Sequence, residues 1–321
     1  RNGIQLNAAE KEQLARYWDN RNIRNTGLSD EIWGPDGFYI ARDQNSGGEP
    51  FNWIDISATG TEIWQNQAAD DNWTDPIPLP FAFPFYGSTC NSVYISANMI
   101  LKFSPDYVSY SSPVPSIEFP ARIDPWCYDM YHETYSRYYY QAFGDSMFVV
   151  TFLSSVYYSY TARYPEYGKD LQVILRNDGT IKFQYDSLRT IFVASPYTSG
   201  IDDHQGNFGL SCGSSFSQGQ AITFTLTEGL ILGDGRVTPP SGTVGETYEY
   251  SVFYRNSYGN APANARVFID GNPFILTNPG GNYTAGVTLH YSTTQLDTGT
   301  HEYYFGVTDG VNQTRLPETG V

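Results

Sequence analysis

The chain has 321 residues, enough for two or three domains that each bury a core. Its formal net charge of −16, from 34 Asp and Glu against 18 Lys and Arg, excludes the clustered basic surface that nucleic acid or an anionic membrane requires. No stretch approaches the run of about 18 apolar residues that a membrane-crossing helix needs.

The first 48 residues read differently from the rest. "NAAEKEQLARYW" places Asn7 as a cap with Glu10 three positions on, and predicts a short helix from about Ala8 to Trp18. "GPDGFYIARDQNSGGEP" reads as turn chemistry, so residues 1–48 are taken as a leader. The chain opens on Arg1 and not Met, which implies that a preceding segment has been removed.

From Phe51 to Glu228 the signals are strands. "LPFAFPFYG" reads as an irregular opening strand interrupted by prolines, and "SVYISANMILKF" alternates through Val93 and Ile95, turns near Asn98 and returns through Leu101 and Phe103. "YYYQAFGDSMFVVTFL" gives a hairpin about Gly144 and Asp145. "KDLQVILRNDGTIKFQYDSL" gives the clearest hairpin, with Leu171, Val173 and Leu175 answered by Ile181, Phe183 and Tyr185. At "LTEGLILGDGRVTPPSGTVGE" the composition shifts to Gly, Pro and Thr, which marks a boundary. Beyond it Tyr248, Tyr250, Val252 and Tyr254 share one face. "ARVFIDGNPFIL" predicts a hairpin about Asp270 to Pro273, and a final strand runs through Tyr303, Phe305 and Val307. The expected fold is all-β: tandem antiparallel β-sandwiches over residues 49–228 and 229–321, behind the leader with its short helix.

The succession "WIDISATGTEI", "DDNWTDPIPLPFAFPFYG", "VYISANMILKF" and "TSGIDDHQGNFGLSCG" resembles the nidogen-like β-domain of large secreted bacterial proteins. Met99 stands where that pattern has a glycine after Asn98, and Cys127 interrupts the segment similar to its Pro-Phe-Trp-Asp run. Residues 229–321, above all "LDTGTHEYYFGVTDG", resemble the immunoglobulin-like modules of the same kind of surface protein. The resemblance implies scaffolds and stalks and transfers no catalytic residue.

Few motifs carry chemistry. "GLSCG" spells a nucleophile elbow about Ser211, but a loop and strand follow where the elbow needs a helix. Asp70, Asp71 and Asp75 form one carboxylate cluster, and Asp202 and Asp203 beside His204 form another. Either offers oxygen ligands to a structural calcium, although turns favour aspartate without one. In "IDPWCYDMYHETYSRYYY" Trp126 and Tyr128 are candidates to stack a sugar ring, against a plainer reading as aromatics capping the sandwich. Cys90, Cys127 and Cys212 allow one disulfide with one thiol left over. Asn72, Asn282 and Asn312 head glycosylation tripeptides. "LPETG", Leu316 to Gly320, spells a sortase signal. A trimmed anchor, a tag and a coincidental loop all fit it, the last being favoured, with the natural chain running on or ending after processing.

Tyrosine surplus (27 residues) and only four lysines, Lys11, Lys102, Lys169 and Lys182, leave strand edges short of their usual blunting charge. Together these readings predict a secreted or cell-surface, non-enzymatic structural protein that pairs with copies of itself as filament, sheath or stalk. The leader would insert into a neighbour. The alternative is a glycan-binding or adhesive accessory module of a larger secreted enzyme. Neither reading calls for a cofactor beyond structural calcium, for nucleic acid or for membrane insertion.

Overall fold

Apolar alternation at Leu171, Val173 and Leu175 and again at Ile181, Phe183 and Tyr185, joined by a turn at Gly179, builds the central hairpin of the larger sheet. The computed structural model describes residues 31–34, 36–104, 114, 121–158, 168–188, 198–203 and 208–316. Among them are twenty-two strands and no helix. The helix expected near Ala8 lies outside the described residues, as do His204 and the last four residues of LPETG.

In chain order the first fifteen strands are β1 (Ile32–Trp33), β2 (Tyr39–Asp43), β3 (Thr61–Ile63), β4 (Ile77–Phe85), β5 (Ser88–Ile95), β6 (Leu101–Lys102), β7 (Arg122–Cys127), β8 (Met130–Tyr131), β9 (Arg137–Phe143), β10 (Met147–Tyr157), β11 (Lys169–Arg176), β12 (Ile181–Leu188), β13 (Thr198–Asp202), β14 (Gly209–Ser211) and β15 (Gln220–Leu226). They form two sheets. One runs β1-β2-β15-β12-β11-β10-β9-β3 with β8 added beside β10, and the other runs β14-β13-β7-β6-β5-β4. Phe148, Phe152, Val173 and Phe183 of the first meet Phe83, Val93, Leu101 and Ile123 of the second in one core. The proline-rich β4 is an edge strand, where missing N–H donors cost least, and its register breaks between Pro78 and Phe83.

The remaining strands are β16 (Leu230–Thr238), β17 (Tyr248–Asn256), β18 (Asn264–Ile269), β19 (Asn272–Ile275), β20 (Val287–Thr293), β21 (Tyr303–Thr308) and β22 (Gln313–Leu316). They make a three-stranded sheet β16-β17-β20 and a four-stranded sheet β19-β18-β21-β22 around their own core of Tyr250, Val252, Tyr254, Val267, Leu289 and Phe305. The molecule is thus all-β, with two antiparallel sandwiches in tandem.

Two sequence readings change. Residues read as the end of a leader form β1 and β2. Tyr39 and Ala41 are fully buried and β2 pairs along β15, so this stretch is part of the first sandwich. Within the Gly, Pro and Thr-rich stretch, residues 227–229 separate β15 from β16, which takes up nine of its residues. The final strand is β22, one beyond the expected one. Leu316, the first residue of LPETG, ends it and packs against the second core.

Residues 49–56 are a further departure, because they cross the outer face of β11 and β12 without joining a sheet. Gln184 bonds both backbone groups of Asn52, receiving its N–H at 2.6 Å and donating to its carbonyl at 2.9 Å. Gln172 does the same for Ile54, at 3.2 and 2.8 Å. Lys182 donates to the Pro50 carbonyl at 2.7 Å, and Arg176 pairs with Glu49. Side-chain amides here satisfy backbone groups that a neighbouring strand would otherwise take.

Candidate functional site

Two features stand out against this scaffold: a loop cluster of carboxylates and the joint between the sandwiches. The loop before β4 is pinned by two backbone bridges, Ala69 to His132 and Trp73 to Ser96, and by the Ala97 N–H donating to the Asn72 carbonyl at 2.9 Å. The first bridge draws in the segment between β7 and β8, and with it Asp129. One carboxylate oxygen each from Asp70, Asp71 and Asp129 then lies within 4.8 Å of the others. Three hard oxygen donors at that spacing suit calcium by ligand type.

Asn98 holds the cluster together. Its side-chain N–H donates to Asp71 at 2.8 Å, and its Oδ1 accepts the Met130 N–H at 2.7 Å. Met99, in the glycine position of the resemblance, has φ +63° and is fully buried. An apolar side chain therefore occupies a left-handed position that favours glycine.

The other candidates fall elsewhere. Asp75 is exposed and not a member of the carboxylate group. Asp202 is buried and accepts the Arg122 backbone N–H at 3.0 Å and its guanidinium at 3.2 Å, so an arginine already lies against this carboxylate. Asp203 is buried, with its backbone paired to Phe208 and Ala121. Ser211 lies in β14 opposite Gly200, in regular antiparallel pairing with no helix after it.

Trp126 is only 4% exposed, packed by Phe216 and lying under the Lys169 ammonium at 5.4 Å. Tyr128 stands edge-on to Tyr157. The indole is core, with no face open to a sugar. All three cysteines are buried and free, so no disulfide forms. Burial pushes the Cys90 thiol up to about 12 and raises Cys212 well above its usual value. Asn72, Asn282 and Asn312 are all exposed, which leaves their amides accessible.

The joint was not anticipated. β17 has two buried faces: Tyr250, Val252 and Tyr254 turn into the second core, while Phe253 and Arg255 turn towards the first sandwich. Phe253 meets Phe208 at 4.6 Å and Phe38 at 5.2 Å between ring centroids, and Phe38 meets Tyr86 edge-on at 5.3 Å. The Arg255 guanidinium lies 5.1 Å above the Phe38 ring. It donates to the Thr284 carbonyl at 3.1 Å and the Thr227 carbonyl at 3.0 Å, while Thr227 itself donates to the Phe38 carbonyl. Gly286 faces Phe253 so closely, at φ +95°, that a β-carbon there would collide with the ring. Behind the cluster the Asp36 carboxylate accepts the Tyr86 hydroxyl at 2.6 Å and the Phe38 and Tyr39 N–H groups. Burial nonetheless raises its pKa. The sequence signal was an aromatic and an arginine two residues apart on the strand face that alternation assigns to solvent.

No curated protein matches the chain. The model of a family described as NIDO related matches residues 44–234, which span β3 to β15 and the start of β16. That match covers more than half of the chain, and the chain belongs to the NIDO-related, or nidogen-related, family.

Proposed function

We propose that the chain is a secreted, non-enzymatic structural protein of an extracellular or cell-surface assembly, its nidogen-related unit coupled rigidly to an immunoglobulin-like one. The joint carries this reading. A three-residue linker, an aromatic cluster and an arginine bonded to the linker carbonyl of Thr227, which in turn donates to Phe38 of the first sandwich, resist bending, as a load-transmitting stalk or sheath subunit must. Sheet edges support association with further copies. β19 ends one sheet and presents Ile275, 70% exposed, and Val311 beside β22 is 88% exposed, with no lysine on either strand.

In this reading residues 1–30 dock on a neighbouring copy and the contact propagates head to tail. Light scattering with negative-stain imaging tests it on the full chain and on a chain starting at Glu31, a cut that spares the buried Tyr39 and Ala41. Oligomers or filaments lost on truncation are expected. Monomers in both forms would sink the assembly reading.

A further inference from the structure

One end of the second sandwich holds a groove of about 640 Å³, within the range of about 300–1,000 Å³ usual for small-ligand sites. Tyr250, 2% exposed, forms part of its floor, with Tyr303 edge-on to it at 5.1 Å between ring centroids. Tyr248, half-buried at the start of β17, and Leu296 complete an aromatic and apolar lining.

The rim is polar and comes from two loops that are already held in shape. In one, Thr243 and Glu246 bond each other twice: the Thr243 N–H donates to the Glu246 carboxylate at 3.0 Å, and the Glu246 N–H to the Thr243 carbonyl at 3.1 Å. Gly242 there lies so close to the Tyr248 hydroxyl that a β-carbon would sit 2.8 Å from it. In the other, the His301 ring is fixed at both nitrogens, 2.6 Å from Asp270 Oδ2 and 3.0 Å from the Asp297 carbonyl. Ser241, Thr243, Thr298 and Thr300 add hydroxyls, and Asp297 adds a carboxylate.

We propose that this groove binds a neutral glycan, one sugar ring stacking on Tyr248 with its hydroxyls bonded to the threonine and Asp297 rim. Three features select that chemistry. Aromatic faces carry partial negative charge that attracts the C–H face of a pyranose. The hydroxyls and the carboxylate supply the donors and acceptors that vicinal hydroxyls need. The Asp297 carboxylate, in a chain of net charge −16, disfavours an anionic ligand. An extended peptide fits worse: Tyr248 and Tyr303 stand on β17 and β21, which are inner strands of their sheets and not the edges a peptide strand would extend. Because both loops are tied by their own hydrogen bonds, little ordering is left to oppose binding. This site goes beyond the structural reading above and stands or falls independently of assembly.

The test is saturation-transfer NMR and calorimetry on the full chain with maltotriose, cellotriose, laminaritriose and chitotriose, and with a proline-rich decapeptide as the competing class. At least one trisaccharide is expected to bind. Tyr248→Ala should weaken it by about tenfold or more, the factor that about 1.4 kcal/mol represents. Asp297→Ala, on the exposed rim, should weaken it without lowering the melting temperature, which guards against a Tyr248 variant that simply misfolds. Binding of none of the sugars, of the peptide alone, or of a sugar equally well to both variants would overturn the proposal.

Discussion

The side-chain amides of Gln172 and Gln184 meet at 2.9 Å across β11 and β12, and each grips both backbone groups of one residue in the segment above. Two glutamines thereby act as a short surrogate strand. Removing one leaves a part-buried N–H and carbonyl without their partner. Gln172→Ala or Gln184→Ala is expected to destabilise the first sandwich by about 1–3 kcal/mol. Urea unfolding would measure that loss. Amide exchange should quicken at Ile54 in the first variant and at Asn52 in the second, and unchanged exchange would count against the arrangement.

The joint predicts a separation of stiffness from local fold. Phe253→Ala empties an aromatic contact and is expected to cost about 3–5 kcal/mol. Arg255→Ala removes bonds from a charged donor to two carbonyls, at about 1.5–3 kcal/mol each as an upper range. Small-angle scattering should then show a broader distribution of interdomain distances in both variants. Curves that superpose on the native protein would show that the linker alone sets the angle.

Asp124 makes stability depend on pH in a direction opposite to most carboxylates. Burial raises it from the ordinary 3.8 to about 6, against the attraction of the equally buried Arg122 guanidinium. The folded state therefore binds this proton more tightly than the unfolded chain does. Its contribution is fully present below about pH 3.8 and is lost as pH rises through about 6, by up to about 3 kcal/mol at 1.36 kcal/mol per unit. Asp124→Asn keeps an acceptor for the Trp126 N–H and should flatten this slope. Urea midpoints of the two proteins should diverge between pH 4 and 7, with the variant gaining. Parallel curves would refute the assignment.

One carboxylate oxygen each from Asp70, Asp71 and Asp129 stands close enough to the others to share a single cation. Calcium at about 100 times its dissociation constant should stabilise the protein by about 2.7 kcal/mol. Asp129→Asn should abolish most of that gain, and chelation should reverse it in the native chain. A melting temperature indifferent to calcium would leave the cluster a plain polar turn held by Asn98.

Regular elements were legible because their cores lie on one side. Leu171, Val173 and Leu175 alternate against a single hydrophobic interior, and the Asn-Asp-Gly turn between β11 and β12 fixed their partner. What escaped was whatever lies on the second face of a strand. Gln172 and Gln184 carry no local signal of their role, since nothing near them in sequence says that residues 49–56 cross above them. The role of Phe253 and Arg255 is not legible locally, since their partners Phe38, Phe208 and Thr227 come from other stretches of the chain. β2 was hidden because its flanking glycines, proline and aspartates signal turns, and only pairing with β15 makes it a strand. The carboxylate cluster was half-visible: Asp70 and Asp71 were read together, while Asp129 joins them through the long-range bridge from Ala69 to His132.

The thiols have a use that follows from where they sit. Cys90, Cys127 and Cys212 are all buried in the first sandwich, and the second contains no cysteine. A thiol reagent added to the native protein therefore reacts only when the nidogen-related sandwich opens, and opening of its neighbour goes unseen. Labelling kinetics thus give a one-sided clock, already built into the chain, for asking which of two coupled bodies yields first.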